Sequence, residues 1–227
     1  HLSLRRQRQM CIRDSYNINM KITLPDNSSR ELPQGSSGYD LAKDIGPGLA
    51  KSAVAVSVNG VQRDLHDVIE GDASVSIITI DSDEGIEIMR HTLTAQVLAR
   101  AIKNLYPKSK LAIGPTIDDG FYYDVESEKS ISSDDLSKIE DEMKKIIKTK
   151  SSITKKLVSK SEALKVFKEK KESYKEIIVN ESKQKDNFQL YYQDDKKFVD
   201  LCRGPHSVSY THLRAHETRH DLVCRLL

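Results

Sequence analysis

The sequence predicts an α+β protein made of two units in series. Three observations predict it. Residues 20–80 carry short apolar runs around one broken helical stretch. Residues 81–85, Asp-Ser-Asp-Glu-Gly, form an acidic, polar joint. Residues 86–206 alternate amphipathic helical patterns with short β-rich runs.

In the first unit, residues 20–24 read as a strand, 25–28 as a turn and Arg30–Leu32 as the return strand of a hairpin. Leu41, Ala42, Ile45 and Leu49 have helical spacing, which Gly46-Pro47-Gly48 interrupts. Residues 54–58, Val-Ala-Val-Ser-Val, alternate little and predict a well-buried strand. Asn59-Gly60 after them is a strong hairpin turn signal. Residues 73–79 close the unit as a further strand, giving a half-open sheet with one helix across it.

The second unit begins near Ile86. Val97, Leu98, Ala101, Ile102 and Leu105 share one helical face, and Pro107 ends that helix. Residues 110–125 read as two short strands around a Gly-Asp turn. Leu136, Ile139, Met143, Ile146 and Ile147 mark an amphipathic helix over 133–150, with Ser132 and Asp135 as a capping box. A strand over 152–159 follows. Ser159 and Glu162 then open another helix. Residues 174–179, 188–193 and 197–201 are expected to finish the unit as antiparallel strands. The Lys-rich run from Lys144 to Lys175 has interleaved acids and reads as solvated helix faces.

The two ends of the chain read differently. Met10-Cys11-Ile12-Arg13-Asp14 back-translates as ATG TGT ATA AGA GAC. The reverse complement of that string encodes Val-Ser-Tyr-Thr-His, which stands at 208–212. An inverted DNA repeat at both ends is a property of DNA handling rather than of a protein. It resembles the transposon end used to cut and tag DNA for sequencing. Residues 1–15 and 207–227 are therefore expected to be adapter-derived, non-native tails.

Setting the tails aside changes the composition. The full chain has 36 Lys+Arg and 34 Asp+Glu, a net charge of +2. The tails hold Arg5, Arg6, Arg8, Arg13, Arg214, Arg219 and Arg225 against Asp14, Glu217 and Asp221, so the rest is slightly acidic. Global charge thus makes no case for nucleic acid. Of the 3 cysteines only Cys202 lies outside the tails, which leaves no internal disulfide and suits a reducing, cytoplasmic setting. No apolar run approaches the roughly 20 residues of a membrane span. No internal repeat, glycine-rich phosphate loop of the GxxxxGK type or Cys-x-x-Cys pair is present.

The residues richest in chemistry are Asp200-Leu201-Cys202-Arg203-Gly204-Pro205-His206. An acid, a thiol, a guanidinium and an imidazole fall within seven positions. Gly204-Pro205 is expected to turn the backbone so that His206 returns beside Cys202. His91, at the first helix of the second unit, completes a three-residue set. Cys and His are nucleophile, base and metal-ligand types, so both an acid–base and a metal reading are open. A lone Cys after a strand is, by itself, more often a small buried hydrophobe.

The runs DIGPGLAKSAVAVSVNG, IGPTIDDGFYYDV, ESYKEI and VDLCRGPH resemble the N-terminal part of threonyl-tRNA synthetase, in its order and at about its spacing. The resemblance covers residues 20–206. It implies a ubiquitin-like β-grasp TGS domain over 20–80, then over 86–206 an α+β editing domain of the threonyl/alanyl-tRNA synthetase type. It implies hydrolysis of the serine ester on mischarged tRNA, with tRNA bound by its acceptor end. By resemblance, His91, Lys175, Cys202 and His206 are catalytic, and Tyr123, Asp200 and Gln96 bind substrate. No metal and no cofactor are expected within these residues. In the family, ATP and zinc belong to a catalytic domain that also makes the homodimer and that has no counterpart in this sequence. No ligation of threonine to tRNA is therefore expected from these residues.

Two features depart from the family pattern. The family has a second histidine four residues after the first, where this sequence has Ala95. Gln96 stands in that histidine's downstream register, so one extra residue follows His91. Either a π-bulge absorbs it or His91 is displaced. The resemblance also stops at His206. Three other readings stay open: an inert module that holds the tRNA acceptor arm, a metal-binding hydrolase using His91, Cys202 and His206, and a gene fragment without activity.

Overall fold

The computed structural model describes residues 19–114, 116–117, 120–121, 123–128, 131–193 and 198–207. The expected adapter-derived tails lie outside these residues, apart from Ser207.

In the first unit β1 (Asn19–Thr23) and β2 (Ser29–Pro33) form the expected hairpin, with Met20 opposite Leu32. Helix α1 (Gly38–Ile45) starts at a capping box between Ser37 and Asp40, and Pro47 opens α2 (Pro47–Ser52). Strands β3 (Ala53–Val58) and β4 (Val61–Asp64) are joined through Asn59-Gly60, both at positive φ, and β5 (Ala73–Thr79) follows. The sheet order is β2-β1-β5-β3-β4. Only β1 and β5 run parallel; the other pairs are antiparallel. Leu41 of α1 packs on Met20, Ile22, Val56 and Ile69, so the helix lies across one face of the sheet. This is the β-grasp arrangement.

The acidic joint at 81–85 is a correction. Asp83, Glu84 and Gly85 are the first turn of helix α3 (Asp83–Thr92), and the Ser82 hydroxyl accepts the Gly85 N–H at 3.0 Å. Acidic residues that read as a linker here sit at the positive end of a helix dipole. A Cβ on Gly85 would lie 1.9 Å from the Thr79 carbonyl oxygen, so glycine lets α3 begin directly against β5. Ile88 and Met89 of α3 share one core with Val54, Ala55 and Ile78 of the sheet. Strand β3 is thus covered by α1 on one face and by the second unit on the other, which is why its sequence does not alternate.

From α3 the chain continues without a break through a π-helical segment (Leu93–Leu98) into α4 (Ala99–Leu105). Residues 110–126 form nested pairs, β6 (Lys110–Leu111) with β9 (Val125–Glu126) and β7 (Thr116–Ile117) with β8 (Gly120–Phe121). Helix α5 (Ser133–Lys148) has the expected Ser132–Asp135 box and buries Ile139, Met143, Ile146 and Ile147. Strand β10 (Thr154–Val158) leads through the Ser159–Glu162 box into α6 (Lys160–Lys170). After α7 (Ser173–Glu181), strands β11 (Phe188–Gln193) and β12 (Phe198–Leu201) complete an antiparallel sheet of order β10-β11-β12.

Helix α7 corrects the strand expected over 174–179. Ile177, Ile178 and Val179 favour a strand locally, but tertiary contacts decide otherwise. Lys171 ends α6 at φ 59°, and α7 folds back onto it. Glu172 precedes α7 and is buried; its carboxylate pairs with Lys103 at 2.6 Å and accepts the Leu111 N–H at 3.3 Å. With that corner fixed, the buried positions Glu172, Lys175 and Val179 follow helical spacing. Among the described residues, no helix is long and apolar enough to cross a membrane.

Candidate active site

Period-two alternation along β12 sends Phe198, Asp200 and then Cys202 toward the α3–π helix, while Val199 packs on the opposite side with Phe167 of α6 and Val179 of α7. On β11, Tyr191 and Gln193 face the same helix, and Phe188 and Leu190 face α6 and α7. Between this sheet, α7 and the segment of Ala112, Ile113 and Gly114 opens a cleft of about 570 Å³. His91, Tyr123, Lys175, Asp200 and Cys202 line it, together with apolar Ile113, Ile178 and Phe188.

Two polar clusters reach this cleft. In the first, the Lys175 ammonium lies 2.8 Å from an Asp200 carboxylate oxygen and donates to the Tyr123 hydroxyl at 3.4 Å. All three side chains are buried. Burial works against the Lys175 charge, but Asp200 outweighs it and holds the ammonium's pKa above the usual lysine value. Burial, and then the Asp200 charge, push the Tyr123 hydroxyl upward.

The second cluster is centred on histidine. His91 Nε2 is 2.9 Å from Cys202 Sγ. Burial pushes the thiol up to about 12 and lowers His91, so the pair is a neutral thiol beside a neutral imidazole. It is not the thiolate–imidazolium pair of a cysteine nucleophile. Behind His91 the His206 ring stacks on it, with centroids 4.6 Å apart and planes 10° from parallel. Tyr191 meets His206 edge-on at 4.4 Å.

The turn after β12 delivers His206. Gly204 takes φ 66°, and a Cβ there would lie 2.2 Å from the Tyr191 hydroxyl, so glycine is required on both counts. The His206 backbone N–H donates to Asp64 Oδ1 at 2.8 Å, and Tyr191 donates to Asp64 Oδ2 at 2.9 Å. Asp64 also pairs with Lys155 at 3.1 Å. The β-grasp sheet therefore holds the back of the second unit's site. Ser207, expected to belong to the tail, is buried and its N–H donates to Thr92 Oγ1 at 3.0 Å.

Of the seven residues named from sequence, five line the cleft. His206 and Gln96 do not: both are buried behind His91. For Gln96 this corrects the expectation of a substrate-binding side chain, because Gln193 and His206 occupy its amide at 2.7 and 3.3 Å. The extra residue after His91 is absorbed by the π segment. As a result His91 and Gln96, five residues apart, both reach the His206 ring.

His91, Cys202 and His206 bring their donor atoms within 4.8 Å of one another, close enough to invite a metal reading. Both nitrogens of His206 are already hydrogen-bonded, to Gln96 and Thr92, so a metal would have to break that network. The set offers two available donors, fewer than a stable zinc site uses.

Residues 20–79 match the TGS domain family. The matched span is the β-grasp sheet from β1 to β5 with α1 and α2. Asp64 is therefore a TGS-domain residue that holds His206. Sequence reasoning missed Asp64, Thr92, Arg100, Tyr191 and Gln193. For Gln189, Tyr191 and Gln193 a signal existed: they share one strand face, polar where the opposite face is apolar. Asp64 had no local signal.

Proposed function

We propose that the cleft is a hydrolytic editing site of the threonyl/alanyl-tRNA synthetase type, cleaving the serine ester of mischarged tRNA. The observation that carries this reading is the convergence of His91, Tyr123, Lys175, Asp200 and Cys202 on one cleft, where apolar Ile113, Ile178 and Phe188 stand beside polar Gln184, Asn187 and Gln189. TGS domains occur in translation-related proteins, threonyl-tRNA synthetase among them, which supports a tRNA partner and a cytoplasmic role. The wider protein would then belong to a threonine–tRNA ligase, with residues 86–206 as its editing domain.

The chemistry is attack of water on an ester carbonyl. His91, neutral near pH 7, positions the water in place of the Cys202 thiol and takes its proton. The water oxygen bonds to the carbonyl carbon, and the negative charge that builds on the carbonyl oxygen faces the Lys175 ammonium. The ester C–O bond then breaks and the proton passes to the departing ribose hydroxyl. Asp200 and Tyr123 receive the amino group and hydroxyl of the substrate. Serine and threonine differ by one methyl, worth about 1–3 kcal/mol in a pocket, so selective hydrolysis at a second site adds what binding alone cannot. Ile113, Ile178 and Phe188 set the space in which that methyl has to fit.

The test is release of amino acid from seryl- and threonyl-tRNA by the full chain. Faster release of serine, lost in His91→Ala, is expected. Equal rates for both esters, or no release from either, would sink the reading. Tight tRNA binding without any release would favour an inert acceptor-arm module.

A further inference from the structure

The hydrogen bonds behind His91 form a chain whose direction is fixed at one end. Arg100 Nη1 lies 3.2 Å from Gln193 Oε1. A guanidinium can only donate, so Gln193 must present its oxygen to Arg100 and its amide N–H₂ elsewhere. Gln193 Nε2 donates to Gln96 Oε1 at 2.7 Å and to the Gln96 carbonyl at 3.0 Å. Gln96, its oxygen thus used, turns its own Nε2 to His206 Nε2 at 3.3 Å. That nitrogen must accept, so it carries no proton.

The other end of the chain agrees independently. The Thr92 hydroxyl donates its single proton to the Ile88 carbonyl at 2.8 Å. Toward His206 Nδ1, at 3.4 Å, it can only accept. The proton of His206 therefore sits on Nδ1, the position less favoured by a free imidazole. Arg100, Gln193, Gln96, Thr92 and His206 are all buried, so water offers no competing partners.

We propose that Arg100 and Gln193 are positioning residues: acting through Gln96, they hold His206 as a neutral ring protonated at Nδ1, and its face orients His91 toward the cleft. The charged groups around His206 fit this state. His91 from α3 and Lys155 from β10 both disfavour a second positive charge there. Asp64 from β4 binds the His206 backbone and the Tyr191 hydroxyl, not the imidazole. The orienting role rests on the hydrolytic reading above; the protonation pattern does not.

The experiment is a long-range ¹H–¹⁵N NMR correlation on the full chain at pH 7.5 with ¹⁵N-labelled histidine. His206 is assigned by loss of its signals in His206→Gln. The expected result is a protonated, pyrrole-type Nδ1 and an unprotonated, pyridine-type Nε2. Gln193→Glu is close to isosteric and still accepts from Arg100, but it cannot donate to Gln96. Gln96 should then rotate, donate to Glu and turn its oxygen to His206, moving the proton to Nε2. Arg100→Lys keeps a donor and should leave Nδ1 protonated. An Nε2-protonated or doubly protonated His206 in the parent overturns the proposal, as does a Gln193→Glu chain with the parent's pattern. The pattern is read without any activity, so its presence in a chain that does not deacylate seryl-tRNA counts against the hydrolytic reading alone.

Discussion

Lys175 lies in an ion pair with Asp200 in the wall of the cleft, whereas His206, six residues beyond Asp200 on the same segment, is buried as a neutral ring. Lys175, Asp200 and His206 are shielded from water to a similar degree. The difference lies in what faces each group. Lys175 meets an opposite full charge at 2.8 Å, so burial of the pair is tolerable. His206 meets an amide, a hydroxyl and an aromatic edge, and His91 and Lys155 both disfavour a positive charge on it. Among the described residues no carboxylate is bonded to its ring, so the neutral form is the one that survives burial. The comparison teaches that one site can hold a fixed charge and a fixed neutral base side by side, provided each has its own partner.

The largest expected effect comes from breaking the charged cluster. Lys175→Met leaves the Asp200 carboxylate buried and unpaired and should cost about 3–5 kcal/mol in urea denaturation. Lys175→Met with Asp200→Leu should recover most of that loss. If the double variant is no better than the single one, the pair is not what holds this wall.

Next in size is the anchor of the neutral cluster. Tyr191→Phe removes the hydrogen bond to Asp64 but keeps the ring against His206, and should cost about 1.5–3 kcal/mol. A change within measurement error would mean that Lys155 and the His206 N–H hold Asp64 without Tyr191.

The two clusters should also separate with pH. Burial lowers the pKa of His206 and of His91 in the folded chain. Below the ordinary histidine value of about 6.5 the unfolded chain takes up protons that the folded chain refuses, so stability falls as pH drops. Each histidine contributes up to about 1.4 kcal/mol per pH unit in that range. Denaturation series at pH 7.5, 6.5 and 5.5 check this, and His206→Gln should reduce the slope by close to one proton. A parent curve flat from 7.5 to 5.5 would contradict a buried neutral His206.

The smallest effect is the control. Lys144 and Glu140 form an exposed i,i+4 pair at 2.7 Å on α5. Lys144→Ala should shift stability by less than about 0.5 kcal/mol, because solvent screens the pair. A larger loss would show that exposed charges in this chain carry more than the comparison with Lys175 assumes.

Much of the fold follows from sequence alone. The hairpin at 59–60, the capping boxes at Ser132 and Ser159, and the face of α5 are local signals, and each involves partners within a few residues. The presence of an extra residue after His91 was equally visible. Which side chains would gather at Asp200, Cys202 and His206 was suggested by residue type and by family resemblance.

Tertiary structure decided the rest. Residues 174–179 have a strand-like composition and became a helix because Glu172, Lys103 and Leu111 pin its start and α6 covers its face. The acidic joint became a helix turn because Gly85 packs against Thr79. The partners of His206 come from positions 64, 92, 96 and 191, which share no sequence pattern. A hydrogen bond or a ring stack at 3–5 Å depends on where separate elements dock. Local propensity and period fix each element's face, but not the residue across from it.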